Sequence, residues 1–233
     1  MTEEKNKIPG ISGKVKLLPS LLSVDFSRLG EYSLKALTAG AHGLHADVMD
    51  GRFVPPITFG ADIVASVFQE TGAWIDAHLM IIEPERQIES FAKAGVSAIT
   101  VHAETCPHLN RVLSMIKESG CEAGVSFNPS TAFEEILRYS HSLLDRVLIM
   151  SVNPGWGGQS FIRDSLLKIE KVSQILNQLG SDAEIQVDGG VNAENIGEIV
   201  SCGATEIVAG TAVFKGDINE NITILTEIIK KTI

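Results

Sequence analysis

One complete strand–helix–strand unit is visible in residues 74–102, WIDAHLMIIEPERQIESFAKAGVSAITVH. Residues 74–79 and 97–102 are short apolar runs of β-strand character. The segment Glu85–Ala94 between them carries apolar residues at three- and four-residue spacing, which is typical of an amphipathic helix. Gly95 follows this helix, where a left-handed cap favours a residue without a Cβ. The stretch therefore predicts two parallel strands joined by a helical crossover.

The same alternation extends in both directions from this unit. The candidate strands are 16–21, 43–48, 74–79, 97–102, 122–127, 145–150, 183–188 and 205–209. The helical segments include Phe26–Ala39, Glu85–Ala94, Leu109–Ser119, Phe133–Ser140, Leu166–Leu179 and Ala193–Cys202. Residues 15–231 give about 27 residues per strand–helix unit, which is usual for an α/β protein with a single (β/α)8 TIM barrel. A doubly wound open sheet commonly has fewer strands, and no glycine fingerprint follows the first strand here.

We recognise no targeting signal in the first fourteen residues. Residues 1–14 lack the apolar centre of a secretory signal, and Glu3 and Glu4 disfavour a transit peptide. No apolar run approaches the roughly 18 residues of a membrane span. We expect a flexible N-terminal tail at 1–14, a single barrel domain at 15–233, a cytoplasmic location and no membrane partner.

The charge balance excludes some functions. The chain has 233 residues, with 19 Lys and Arg against 29 Asp and Glu, for a net charge of −10. General nucleic-acid binding requires an extended basic surface, so we expect no nucleic-acid partner. The three cysteines form no CxxC pair, which argues against a disulfide framework or a thiolate zinc site.

Ionisable residues cluster near the ends of three predicted strands. In a parallel barrel these ends face the active-site mouth. The side chains on the inward faces are His45, Asp47 and Met49, then Asp76, His78 and Met80, and finally Asp188. The histidines could instead be ordinary core residues, and the aspartates could cap turns. Several ionisable groups together would be costly to bury unless they neutralise one another or bind a cation. Nitrogen and carboxylate ligands suit one divalent ion of Zn, Fe(II), Mn or Co.

The other histidines and Asp50 have simpler interpretations. His102 also ends a strand, where it could be a ligand or make a structural hydrogen bond. His42, His108 and His141 are expected to be ordinary surface residues. Asp50 precedes Gly51 and is expected to form a turn.

Glycine-rich loops follow the last three strands. They contain Ser151–Gln159 (SVNPGWGGQ), Gly189-Gly190 and Gly210-Thr211. Such loops often bind phosphate in barrels. The windows 151–160, 186–197 and 205–214 contain no Lys or Arg, so backbone amides and hydroxyls would hold the anion. The alternative is that the glycines only make tight turns.

These two groups of residues together suggest one kind of chemistry. A Lewis acid and two carboxylates beside a phosphate anchor suit proton transfer at a carbon next to a carbonyl. Asp47 and Asp188 could remove a proton from one face of that carbon and return one to the other face. The result would be an epimerisation without an organic cofactor.

Five ordered motifs resemble the ribulose-phosphate 3-epimerase family. They are PSLLS at 19–23, HADVMDGRFVP at 45–55, DAHLM at 76–80, MSVNPGWGGQ at 150–159 and VDGGV at 187–191. The resemblance implies interconversion of D-ribulose 5-phosphate and D-xylulose 5-phosphate, a step of the pentose phosphate pathway and, in autotrophs, of the Calvin cycle. It also implies a homo-oligomer, either a dimer or a hexamer.

The resemblance also implies a role for each matching residue. The metal ligands would be His45, Asp47, His78 and Asp188, with Asp47 and Asp188 as the acid/base pair. Substrate would contact Ser20, His78, Met49, Met80, Met150, Gly155, Trp156, Gly157, Gly158, Gly189, Gly190, Gly210 and Thr211. The chain departs from the usual family pattern at Ala46, Pro56, Trp156 and Thr211. Pro56 lacks the amide donor and the side chain of the usual Asn, which could alter subunit contacts.

Two alternatives remain open from the sequence. A 3-epimerase of a hexulose phosphate such as D-allulose 6-phosphate could use the same site with one more carbon in the substrate. A non-catalytic sugar-phosphate sensor could share the scaffold, although simple binding would not need two opposed carboxylates.

Overall fold

A computed structural model describes residues 15–233 and shows a closed ring of parallel strands surrounded by helices. The predicted tail at 1–14 lies outside the described residues. The strands are β1 Lys16–Pro19, β2 Leu44–Met49, β3 Ile75–Met80, β4 Ala98–His102, β5 Glu122–Phe127, β6 Arg146–Met150, β7 Glu184–Asp188 and β8 Glu206–Ala209. Their hydrogen-bonded order is β1-β8-β7-β6-β5-β4-β3-β2. The predicted (β/α)8 TIM barrel is confirmed.

The seam between β1 and β2 closes the ring. Within residues 15–233, Ser20 and His45 form a parallel bridge there. The His42 amide also donates to the Leu17 carbonyl at 3.0 Å. This seam therefore has fewer backbone hydrogen bonds than the other strand pairs, because β1 ends at Pro19 and the chain then turns into a short 3-10 helix.

Helices follow the strands in the order that the sequence predicts. They are α1 Leu29–Thr38, α2 Ala61–Thr71, α3 Ile88–Lys93, α4 Leu109–Glu118, α5 Glu134–Ser140, α6 Ser165–Leu179, α7 Ile196–Ser201, α8 Thr211–Phe214 and α9 Ile218–Thr232. The apolar faces of the helices pack on the outward faces of the strands, and this layer forms the main hydrophobic core. Among the described residues, no helix has the length and apolar character needed to cross a membrane.

A charge network fills the N-terminal end of the barrel. Arg146 at the start of β6 is 1% exposed. Its guanidinium donates to Glu206 at 3.1 Å and to Glu122 at 2.7 Å. Lys16 donates to Glu184 at 2.6 Å and to Glu206 at 3.1 Å. We call these five residues the basal network; each of its charges has an oppositely charged partner within the protein.

Candidate active site at the barrel mouth

Strand register brings the predicted site residues of β2 and β3 side by side. His45 pairs with Asp76 in the register, Asp47 pairs with His78, and Met49 pairs with Met80. Because side chains alternate along a strand, these three pairs share the inward face. Asp188 enters from β7, where it pairs with Met150 of β6.

Four predicted ligands meet at this end of the barrel. Ligand atoms of His45, Asp47, His78 and Asp188 all lie within 4.8 Å of one another. His45 Nε2 is 3.3 Å from His78 Nδ1 and 3.5 Å from Asp47 Oδ1. His78 Nδ1 is 3.2 Å from the same Asp47 oxygen. We call these four residues the mouth cluster; both histidines are fully buried and Asp47 is 2% exposed.

The spacing of the mouth cluster fits a small divalent cation. Metal–ligand distances of about 2.0–2.2 Å put neighbouring ligands of a tetrahedral site about 3.4 Å apart. The distances among His45, Asp47 and His78 lie close to that value. Two imidazole nitrogens and two carboxylate oxygens also form a donor set that zinc and related ions accept.

The two carboxyls of the mouth cluster have different electrostatic surroundings. Burial opposes ionisation of Asp47, but the adjacent imidazoles of His45 and His78 hold its pKa well below the usual range. Burial and the charge of Asp47 raise the pKa of Asp188 to about 7. Asp47 is therefore an ionised carboxylate near neutral pH, while Asp188 can carry a proton.

The two histidines of the mouth cluster also have opposite pKa shifts. Burial lowers the pKa of His78 to about 4, so its imidazole is neutral. Burial also opposes protonation of His45, but Asp47 and Asp76 raise its pKa well above the usual value. Asp76 Oδ2 lies 3.1 Å from His45 Nδ1, and Thr100 donates to Asp76 Oδ1 at 2.8 Å.

A cavity of about 470 Å³ opens above the mouth cluster. This volume lies in the range usual for small-molecule sites. Its wall includes Ser20, Asp47, Met49, Met80, Met150 and Asp188, together with the loop residues Gly155, Trp156, Gly157, Gly158, Gly189, Gly190, Gly210 and Thr211. The structure thus brings these predicted residues around one space, while His45 and His78 lie buried beneath it.

Polar contacts hold the glycine loops in position. Ser151 Oγ donates to the carbonyls of Asp188 and Gly189 at 2.8 and 2.7 Å. Gln159 Nε2 donates to the carbonyls of Asn153 and Trp156 at 2.7 and 2.9 Å. The loops after β6 and β7 are thus tied together next to Asp188.

Several glycines of these loops, Gly190 and Gly210 among them, cannot be replaced without displacing other atoms. Gly190 has a φ of 65°, and a Cβ there would lie 2.5 Å from the Phe161 amide nitrogen. A Cβ on Gly210 would overlap the Ser23 hydroxyl. At Gly190 the close approach of another backbone segment, and not only a tight turn, therefore requires glycine, whereas at Gly210 the neighbour is a side chain.

The remaining sequence predictions have mixed outcomes. Asp50 accepts the amides of Arg52 and Phe53 at 2.8 and 3.0 Å, which confirms its turn role. His102 lies outside the mouth cluster, and its Nε2 is 2.9 Å from His78 Nε2. The prediction for His42 is wrong, because His42 is half-buried and its Nδ1 accepts the Leu17 amide at 3.0 Å.

Sequence reasoning missed Lys215, an exposed side chain that lines the cavity. It stands one position after the last lysine-free window, at the end of α8. The signal was available, because α8 begins beside Gly210 and a cation one turn later can face the same space.

Fold and site together define a class. A parallel barrel with paired carboxylates under a glycine-walled cavity at the C-terminal ends of its strands is an enzyme scaffold. The sequence pattern of the ribulose-phosphate 3 epimerase family matches residues 16–214. The chain belongs to this family, and it is an enzyme of the isomerase class.

Curated relatives from distant bacteria agree with this assignment. Ribulose-phosphate 3-epimerase from Synechocystis is 49% identical over 206 residues, which is 88% of this chain and 89% of the relative. The Escherichia coli K12 protein of the same name is 48% identical over 85% of this chain and 88% of its own length. The Bacillus subtilis protein of that name is 47% identical, with 86% and 92% covered.

Solved structures of lower identity share the fold. The 3-hexulose-6-phosphate synthase from Salmonella typhimurium superposes with a TM-score of 0.70 at 15% identity, covering 94% of this chain and all of the other. Orotidine 5'-phosphate decarboxylase from Pyrococcus horikoshii gives 0.68 at 16% identity, covering 92% and 99%. At such identities these matches show the barrel alone.

Proposed function

We propose that the protein is a metal-dependent epimerase that inverts C3 of D-ribulose 5-phosphate to give D-xylulose 5-phosphate. The observation that carries this proposal is the convergence of Asp47 and Asp188 in one cluster on the floor of the cavity. The curated relatives described above carry the matching name. We expect the enzyme to act in the pentose phosphate pathway, in the cytoplasm and as a homo-oligomer.

The carboxyls would act as a pair of opposite protonation state. One ionised carboxylate takes the proton from C3, and the C–H electrons move into a C2–C3 double bond while the C2 oxygen gains negative charge. The other carboxyl then returns a proton to the opposite face of C3. A turnover thus moves one proton between the two carboxyls, and exchange with solvent resets the pair. The contrast in pKa between Asp47 and Asp188 supports this division of roles.

His45, Asp47, His78 and Asp188 would hold the divalent ion. When bound, such an ion would act as a Lewis acid toward the oxygens of the substrate. Ser20 donates to Asp47 Oδ2 at 2.5 Å, so it fixes one oxygen of that carboxylate. Met49, Met80 and Met150 are each at most 3% exposed and would exclude water from the reacting carbons.

The phosphate would lie against the glycine loops. Gly155, Gly157, Gly158, Gly189, Gly190 and Gly210 line the cavity and would offer their backbone amides, and Thr211 would add a hydroxyl. Backbone dipoles of this kind bind anions without a cationic side chain. This arrangement supports an anionic substrate for a protein of net charge −10.

Solvent exchange tests the proposal. The Zn²⁺- or Co²⁺-loaded protein is incubated with D-ribulose 5-phosphate in D₂O. We expect xylulose 5-phosphate with deuterium at C3, and loss of both signals after chelation or in Asp47→Asn and Asp188→Asn. Asp182→Asn, an exposed change of the same type, is the matched control and should leave the rate unchanged. Binding without exchange would favour a sensor, and faster turnover of allulose 6-phosphate would overturn the substrate assignment.

A further inference from the structure

His78 is hydrogen-bonded on the side away from the mouth cluster. Its Nδ1 faces Asp47, while its Nε2 lies 2.9 Å from His102 Nε2. The two ring planes differ by 22°, and the ring centroids lie 5.0 Å apart. At this distance one Nε2 must donate a proton and the other must accept it, because two lone pairs or two N–H groups would repel each other.

Glu104 is placed to decide which ring donates. Its Oε2 lies 3.2 Å from His102 Nδ1, and its side chain is 21% exposed. Burial opposes its ionisation, but contacts with His102 and Thr131 lower the pKa of Glu104 to about 2. An ionised carboxylate can only accept hydrogen bonds, so it favours a proton on His102 Nδ1.

The orientation of Glu104 is fixed from its other oxygen. Oε1 accepts the Asn128 amide at 2.8 Å and also the Thr131 hydroxyl. The segment 128–131 is itself held by Lys168 of α6, whose Nζ donates to the carbonyls of Asn128 and Thr131 at 2.7 and 2.8 Å. Glu104 therefore presents Oε2, and not Oε1, to His102.

We propose that Glu104 and His102 form a positioning pair that keeps the proton of His78 on Nε2 and leaves its Nδ1 free to bind a metal. The hydrogen-bond directions are then consistent along the chain: His78 Nε2–H donates to His102 Nε2, and His102 Nδ1–H donates to Glu104. His78 Nδ1 keeps its lone pair, which can accept from His45 Nε2 at 3.3 Å, and Asp47 Oδ1 lies 3.5 Å from the same His45 nitrogen, so one donor serves both acceptors. This inference rests on the metal centre proposed above, where such outer partners commonly set the tautomer of a ligand.

Glu104→Gln is the sharpest test because it keeps the shape of the side chain. The Asn128 amide can only donate, so the glutamine oxygen must stay beside it, and the NH₂ group faces His102 Nδ1. His102 must then accept at Nδ1 and carry its proton on Nε2, which pushes the proton of His78 onto Nδ1. We expect the Zn²⁺ and Co²⁺ dissociation constants to rise about 10- to 100-fold.

Two further variants separate this effect from a loss of folding. Thr131→Val removes one donor to Glu104 Oε1 but leaves the pair intact, so metal affinity should change less than about threefold. His102→Gln supplies an amide oxygen that can accept from His78 Nε2 without help from Glu104. In that background, Glu104→Gln should cost less than about threefold, since the two effects are coupled through His102.

The experiment measures metal affinity by competition with a chromophoric chelator, and measures the proton on each imidazole nitrogen by ¹⁵N NMR of the metal-free protein. We expect His78 to be protonated at Nε2 in the parent protein and at Nδ1 in Glu104→Gln. Unchanged affinity and an unchanged His78 tautomer in that variant would overturn the inference, as would an equal loss in both backgrounds. A parent protein that binds neither ion would overturn the metal centre itself, which is a separate result.

Discussion

The two ends of the barrel both bury charged side chains but balance them differently. In the basal network, Arg146 and Lys16 contact three glutamates, so the cations are part of the protein. The mouth cluster contains two aspartates and two histidines, with neither lysine nor arginine. At the N-terminal end each charged side chain has an oppositely charged partner in the protein, whereas at the mouth four possible metal ligands lie close together.

This difference assigns a structural role to the basal network and a functional role to the mouth cluster. Buried ion pairs that satisfy each other stabilise a fold, or at least do not oppose it, when all partners are present. Burial and the neighbouring charge of Asp47 raise the pKa of Asp188 to about 7. Such perturbed groups in a cavity are typical of catalytic sites.

Asp188→Asn should give the largest effect, a loss of activity and of metal binding with no loss of stability. Loss of one acid/base group is expected to lower kcat for D-ribulose 5-phosphate by about 10³-fold. The raised pKa of Asp188 means that its ionised form opposes folding above the ordinary aspartate pKa of about 4, increasingly up to pH 7. The free energy of unfolding of the metal-free variant at pH 8, measured in urea, should therefore equal or exceed that of the parent. A clear loss of stability would mean that Asp188 is structural.

Arg146→Met should have the opposite signature. Removal of the guanidinium leaves Glu206 buried with less positive charge nearby, which should lower the free energy of unfolding by about 3–5 kcal/mol. Activity per folded molecule should stay within a few-fold of the parent.

Arg163→Met is the matched control for that change, since Arg163 pairs with Glu198 on the surface, where the side chains are 66% and 50% exposed. It should cost about 0–1 kcal/mol in the same urea titration. Equal losses in the two arginine variants would contradict the distinction between buried and exposed pairs.

Metal affinity should depend on pH because the mouth cluster holds protons when no ion is bound. Asp188 is half-protonated near pH 7, and the raised pKa of His45 adds a second proton at neutral pH. Each displaced proton makes apparent affinity fall about tenfold per pH unit below the corresponding pKa. Calorimetry of Zn²⁺ binding in buffers of different ionisation enthalpy should show a release of one to two protons. Binding that releases none would contradict these protonation states.

Lys215→Gln should give the smallest effect on catalysis and tests the exposed edge of the cavity. Lys215 is exposed beside the glycine loops, so water and salt screen its charge. We expect the KM for the sugar phosphate to rise about threefold at low salt, with little change at high salt, and kcat to stay constant. Lys230→Gln, an exposed change on α9, is the control and should leave KM unchanged. A large fall in kcat for Lys215→Gln would assign it a direct role in the reaction.

The fold could be predicted from periodicity because each strand is a short apolar run followed by a helix. The largest error at a strand boundary was in β1, predicted as 16–21, which ends at Pro19. Ser20 instead caps a 3-10 helix, and its Oγ accepts the Leu22 amide at 3.2 Å. A local hydrogen bond of this kind competes with strand pairing and leaves no signal in the hydrophobic pattern.

The residues of the site could be predicted from the sequence, but their hydrogen bonds and pKa shifts could not. A period of two on β2 and β3 was enough to place His45, Asp47 and His78 on one face. The Glu104 contact was not predictable, because it depends on a 3-10 turn after β4 that aims its carboxylate back at His102. Composition likewise could not show that Asp47 and Asp188 have opposite pKa shifts, since both are aspartates near strand ends.

The seam between β1 and β2 gives the site a mechanical role in the fold. Ser20 and His45 form the bridge that closes the ring, and both side chains also belong to the neighbourhood of Asp47. An ion bound by residues of β2, β3 and β7 would cross-link these strands and so oppose separation of β1 from β2. Amide hydrogens near Leu17 and Ser20 should then exchange more slowly when the ion is bound. The same ion would thus serve catalysis and stabilise the closed ring of strands.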